Sequence, residues 1–203
     1  MNQLIKVDLK IHSIPYLTNN DLCFYFLNYT EGGYIISPHN SMIFNLKKDL
    51  KYKNTGAWWY RNQAIQQFAL ILHNVFYKIA NRITIIPMPT STPKDSPDFN
   101  DRLLKTMEYL QYFGNGYYHI ENCLDTLITQ IPSHSGGNRN PNDLYGQIIF
   151  TKLLQPLKEY VFLIDDVLTT GGHFKACQKK ILHSYPNAKI CDIFLAKTDH
   201  RYV

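Results

Sequence analysis

A chain of 203 residues that is 45% hydrophobic and 18% charged suits one domain, or one core domain with a modest extension, and excludes a disordered chain. Its formal charge of +5 suits anionic ligands such as phosphates or nucleic acid. No dense Lys/Arg run marks a nucleic-acid arm, because Lys47, Lys48, Lys51 and Lys53 read equally well as a solvated surface.

Upstream of Ala57, short runs alternate in polarity: residues 4–12, 23–29, 33–37 and 41–46, separated by turn signals at Thr18-Asn19-Asn20, Glu31-Gly32-Gly33 and Pro38-His39-Asn40. Period-two alternation with such punctuation predicts strands, so residues 1–56 are expected to form a small antiparallel β extension to a core at 57–203. From Trp58 to Ala80 the rhythm becomes helical, with Ile65, Phe68, Ala69, Leu72, Val75, Phe76 and Ile79 on one side. The run ITIIPMP (83–89) predicts a buried parallel strand, and residues 99–112 a helix with Leu103, Leu104, Met107 and Leu110 on one face. Residues 117–131 are ambiguous between strand and helix, and 132–147, rich in Gly, Asn, Pro and Ser, read as a long loop. VFLID (161–165) is a strand, 173–184 a helix and 189–198 a last strand. Strands alternating with helices imply an α/β fold with a parallel, Rossmann-like sheet.

The four cysteines, Cys23, Cys123, Cys177 and Cys191, include no C-x-x-C pair, which argues against zinc or a disulfide framework. The opening MNQLIKVDLKIH lacks the apolar stretch of a signal peptide, and no run reaches about 18 apolar residues, so a cytoplasmic protein with no membrane span is expected.

The chemistry concentrates between Val161 and His173. A buried strand ends in Asp165 and Asp166. A short loop of Leu168, Thr169, Thr170, Gly171 and Gly172 follows and opens directly onto a helix. Glycine lets backbone N–H groups approach a ligand, and a helix N-terminus adds unpaired donors and partial positive charge, so the loop is built for an anion such as phosphate. Carboxylates cannot face that phosphate. They suit sugar hydroxyls, or a magnesium ion with its waters. An acidic pair beside a phosphate cradle describes a sugar phosphate.

This segment closely resembles the phosphoribosyl-pyrophosphate motif of the type I phosphoribosyltransferases, with a layout most similar to the competence-protein-F-like branch. The resemblance spans about residues 83–198. It implies the type I phosphoribosyltransferase fold. It also implies that Asp165 and Asp166 hold ribose hydroxyls, that Leu168–His173 hold the 5-phosphate, and that Thr90, Ser91 and Lys94 contact pyrophosphate. Ser133 and Arg139 fall where the family has its mobile catalytic loop, so Arg139 is a candidate cation over the leaving pyrophosphate. Two departures stand out. His173 replaces the usual Thr or Ser after Gly-Gly, and Ser96–Arg102 replaces an Arg-Gly-Phe-Asn stretch, which makes pyrophosphate binding by Arg102 doubtful.

The implied activity is magnesium-dependent transfer of a phosphoribosyl group between pyrophosphate and a nitrogenous base. The ligand is then phosphoribosyl pyrophosphate or a nucleoside 5-phosphate. A second reading stays open: a non-catalytic nucleotide-sensing or nucleic-acid-associated regulatory module that keeps the pocket, since a fold does not fix a function. A protein partner docking on residues 1–56 and a homodimer are further expectations.

Overall fold

The computed structural model describes residues 3–30, 33–129 and 140–199, with residue 35 described in its backbone alone. A two-residue strand β1 (Ile5–Lys6) runs antiparallel to β2 (Leu22–Thr30). The expected separate antiparallel sheet goes no further. From Leu22↔Cys191 to Thr30↔Asp199, β2 lies parallel to the last strand of the chain, β8 (Lys189–Asp199), inside the main sheet. Its sequence, LCFYFLNYT, is a nearly continuous apolar run, the pattern of a strand covered on both faces, and Cys23, Tyr25, Phe26 and Leu27 are all buried.

Two more expected strands are helical. Tyr34–Ile36 forms a single 3-10 turn, and the 41–46 run belongs to helix α1 (Pro38–Leu46). Ser37 starts that helix by accepting a hydrogen bond from the Asn40 N–H at 3.0 Å, and Pro38 occupies the first turn, where its missing N–H costs nothing. Ile43 and Leu46, one turn apart, are buried.

Helix α2 (Ala57–Phe76) buries Ile65, Phe68, Ala69, Leu72 and Phe76 of the expected stripe, with Ala64 beside them, while Val75 is half-buried and Ile79 lies beyond the helix end. Strand β3 (Ile83–Pro87) is buried throughout, and α3 (Arg102–Phe113) follows. The ambiguous 117–131 stretch resolves into two short strands, β4 (His119–Ile120) and β5 (Leu124–Thr126). The second half of the expected 132–147 loop is instead helix α4 (Pro141–Gln147), capped by the Asn140 side chain. Strand β6 (Ile148–Phe150) pairs antiparallel with β5. Strand β7 (Tyr160–Leu168), helix α5 (Gly172–Ser184) and β8 complete the chain.

The fold is mixed α/β. Its six-stranded sheet has the order β1-β2-β8-β7-β3-β4, and all neighbours except β1 and β2 are parallel. One face packs α1, α2 and α3 through Ile43, Leu46, Phe68, Leu72, Leu103 and Leu110. The other packs α4 and α5 through Leu144, Phe174, Ala176, Cys177 and Ile181. No described helix is long and apolar enough to cross a membrane.

The strand order places a site. From β3 the chain moves outward to β4, and from β7 it moves outward in the opposite direction to β8. These two neighbours, paired from Ile83↔Tyr160 to Pro87↔Ile164, therefore send their following loops apart. A crevice at the carboxyl ends of such a pair is the general ligand position of doubly wound sheets.

Candidate functional site

Successive residues of a strand point to opposite faces, and β7 carries Asp165 and Asp166 near its carboxyl end. Asp165 lies on the α5 face, above Val161 and Leu163. Its Oδ1 accepts from the Asp166 N–H at 2.7 Å, and its Oδ2 lies 3.3 Å from Nδ1 of His173 in the first turn of α5. Burial works against a charged His173 ring, but neighbouring Cys177 and Asp165 outweigh it and hold the imidazole pKa well above its ordinary value. The Nδ1 side of the His173 ring thus faces Asp165.

Asp166 turns to the other face. Its Oδ2 receives the Arg102 Nε–H at 2.6 Å, and Lys47 Nζ stands 3.4 Å from Oδ1. Burial alone would raise this carboxyl's pKa. The two cations reverse that and hold it far below the usual carboxylate range. The sequence gives the two acids one role, and the structure gives them separate surroundings.

Leu168 ends β7 in the core, and the Thr169–Gly172 loop leads from there into α5. Gly171 has φ 76°, a left-handed conformation that glycine adopts without penalty, and it ends the loop at the helix start. The Thr170 hydroxyl accepts from the Gly172 N–H at 3.4 Å. Residues the sequence did not single out pack against this loop. The Tyr16 N–H donates to the Thr170 carbonyl at 3.0 Å, and a Cβ on Gly171 would come within 2.9 Å of Leu17. The segment from Ile14 to Leu17 is thus a wall of the loop.

Across the crevice, the loop after β3 is braced rather than open. Thr90 donates its hydroxyl proton to the Thr92 carbonyl at 2.9 Å, and Thr126 donates to the Thr90 carbonyl at 2.5 Å. Ser91 beside them is half-buried. The Lys94 ammonium is held by the carbonyls of Leu124 at 2.7 Å and Asn122 at 3.4 Å. Burial lowers its pKa, with Asp125 opposing. Lys94 clasps β5 rather than facing the crevice. A slot of about 10 Å³, enough for one water, separates this loop from Asn100, Leu103 and Leu104. Ser133 and Arg139 lie outside the described residues.

One buried group escaped the sequence reading altogether. Asp192 of β8 sits opposite Leu163, fully buried, on the same face as Asp165. The Cys23 thiol lies 3.9 Å from its Oδ2, and its Oδ1 has no hydrogen-bond partner. Burial, reinforced by the Asp165 charge, raises its pKa well above the ordinary value.

Magnesium, implied by the resemblance, is offered no shared seat by Asp165 and Asp166. Asp165 and Asp166 face opposite sides, and both oxygens of Asp166 are occupied by cations. No group of three or more His, Cys, Asp or Glu among the described residues is placed to hold a metal. What the crevice offers is a glycine-ended loop at the start of α5 with the Asp165 carboxylate beside it, engaged by the Asp166 N–H and by His173. Compared with known proteins, the chain matches no family model and no curated protein.

Proposed function

We propose that the chain binds a phosphoribosyl donor in the β3–β7 crevice and transfers its phosphoribosyl group to a nitrogenous base, in the manner of the type I phosphoribosyltransferases. The observation that carries this reading is positional. A Thr-Thr-Gly-Gly loop with a left-handed glycine opens a helix at the point where the strand order reverses, with Asp165 four residues before its first threonine.

In this reading the N–H groups at the start of α5, with Thr169 and Thr170, bind the 5-phosphate. Asp165 accepts a ribose hydroxyl proton, and His173 fixes the rotamer of Asp165. The bond from C1 to the pyrophosphate oxygen breaks and its electron pair leaves with pyrophosphate. The acceptor nitrogen's lone pair forms the new C1–N bond, and the acceptor's proton passes to solvent. No side-chain nucleophile is needed. The wall at Ile14–Leu17 excludes water from one side of the phosphate loop.

One observation favours the alternative, a sensing module without turnover: Asp166 and Lys94 are both committed to protein partners. Calorimetry separates binding from its absence. Ribose 5-phosphate should bind the wild type, and Asp165→Asn should weaken it about ten-fold, the loss of one charged hydrogen-bond acceptor. A wild type that does not bind ribose 5-phosphate ends the reading. Binding of phosphoribosyl pyrophosphate without pyrophosphate release, across a panel of bases, selects the sensor.

A further inference from the structure

We infer that Lys47 and Arg102 form a subsite for the pyrophosphate group of the donor, with Asp166 as the residue that holds the two cations in place. This rests on the reading above and assigns a role to a segment, around α1, that carries no recognisable motif.

Charge balance is the first observation. Asp166 is 3% exposed, and one cation would neutralise it, yet it has two, one on each oxygen. A single positive charge is left over at the crevice. The second is unused donor capacity. Arg102 engages Asp166 through Nε only, and no hydrogen bond to its two terminal nitrogens is seen among the described residues. Those nitrogens carry four N–H donors in the planar fork that fits phosphate oxygens. Lys47 keeps a side chain 35% exposed, with Asp166 as its hydrogen-bond partner.

The third observation is the end of α3. Its cap residue, Asp101, makes no side-chain cap. Asp101 instead accepts from the Arg61 Nη2 at 2.6 Å, and Arg61 is a fully buried arginine whose Nε has no partner. Lys47, Arg61 and Arg102 therefore surround this helix start against Asp101 and Asp166, a surplus of one cation that adds to the helix's own partial charge. Arg102 is the first residue of α3, and Asp166 stands two residues before Leu168, so the cluster borders the crevice on the face opposite Asp165. A donor whose 5-phosphate sits at α5 and whose ribose meets Asp165 needs cationic groups for its leaving group. Lys94 is clasped to β5, and among the described residues Lys47 and Arg102 stand nearest to that role.

The test uses the full chain with inorganic pyrophosphate and ribose 5-phosphate as separate probes in calorimetry. Lys47→Gln leaves Arg102 on Asp166, so the carboxylate keeps a partner. It should weaken pyrophosphate about ten-fold, the loss of one charge-assisted contact, and leave ribose 5-phosphate within about two-fold. Lys47→Arg should restore pyrophosphate affinity. Arg102→Lys, which keeps the charge and loses the fork, should also weaken pyrophosphate and spare ribose 5-phosphate. Pyrophosphate affinity unchanged in both Lys47→Gln and Arg102→Lys overturns the inference. So does an equal loss for both probes, which would reveal a general field instead of a subsite. If the wild type binds ribose 5-phosphate but not pyrophosphate, the subsite falls and the donor reading survives. If it binds neither, both fall.

Discussion

Arg102→Ala should cost about 3–5 kcal/mol of unfolding free energy at neutral pH, the effect of leaving a buried carboxylate without its principal partner. The pair is dry. Arg102 and Asp166 side chains are 14% and 5% exposed, and the contact is 2.6 Å. Lys47, at 3.4 Å and more exposed, cannot replace it fully. The acid side of the stability curve carries the same information. Asp166 has a folded pKa below its unfolded value, so its contribution is complete above the ordinary carboxylate pKa and fades as pH falls through the folded value. In Arg102→Ala the folded pKa moves back up and that part of the acid-side rise shrinks. Urea unfolding at a series of pH values measures both. A loss under about 1 kcal/mol at neutral pH would mean that solvent or Lys47 already holds Asp166, the behaviour of a surface pair.

Asp192→Asn should act in the opposite sense. A carboxyl whose folded pKa is raised binds a proton in the folded chain that the unfolded chain has already released, so stability falls as pH rises between the two values. The slope is at most about 1.4 kcal/mol per pH unit. The groups facing Asp192 are Asp165 from β7, His173 and Cys177 from α5, Cys23 from β2, and Asp21 just before it. The window from about pH 5 to 6 suits its detection, since carboxylates of ordinary or depressed pKa are largely ionised there and histidines of ordinary pKa remain mostly charged. Wild type should lose stability across that window, and the Asn variant should fall less steeply and end more stable at neutral pH, with the slope from the raised His173 common to both. Parallel curves would show that Asp192 is ionised when folded.

What the sequence revealed and what it hid follow from distance along the chain. The β7–α5 unit was legible because strand, acids, loop and helix start are contiguous, and α2 because seven residues of one stripe repeat a helical period. The end of α1 and the start of α3 were not. Asp166 meets Arg102 and Lys47 across separations of 64 and 119 residues, and no local pattern announces such a pairing. The helix at Pro38 did have a local signal, since Ser37-Pro38 is a helix opening as well as a turn. The polar alternation around it favoured strand. The placement of β2 was misread for a subtler reason. Its apolar run is that of a strand covered on both faces, but short runs on either side of it suggest a hairpin meander, and pairing with β8 spans nearly the whole chain. His173 and Lys94 were visible as residues, and their hydrogen-bond partners were not.

The position of β2 also bears on how the chain can be divided. A cut at the apparent boundary near residue 56 would remove β1 and β2 together, and β8 would become an edge. Its 11 residues are buried along nearly their whole length. Without β2 they would present a long row of unpaired N–H and C=O groups flanked by apolar side chains, the surface through which separate chains join edge to edge into aggregates. The first 30 residues thus act as the sheet's seal against self-association.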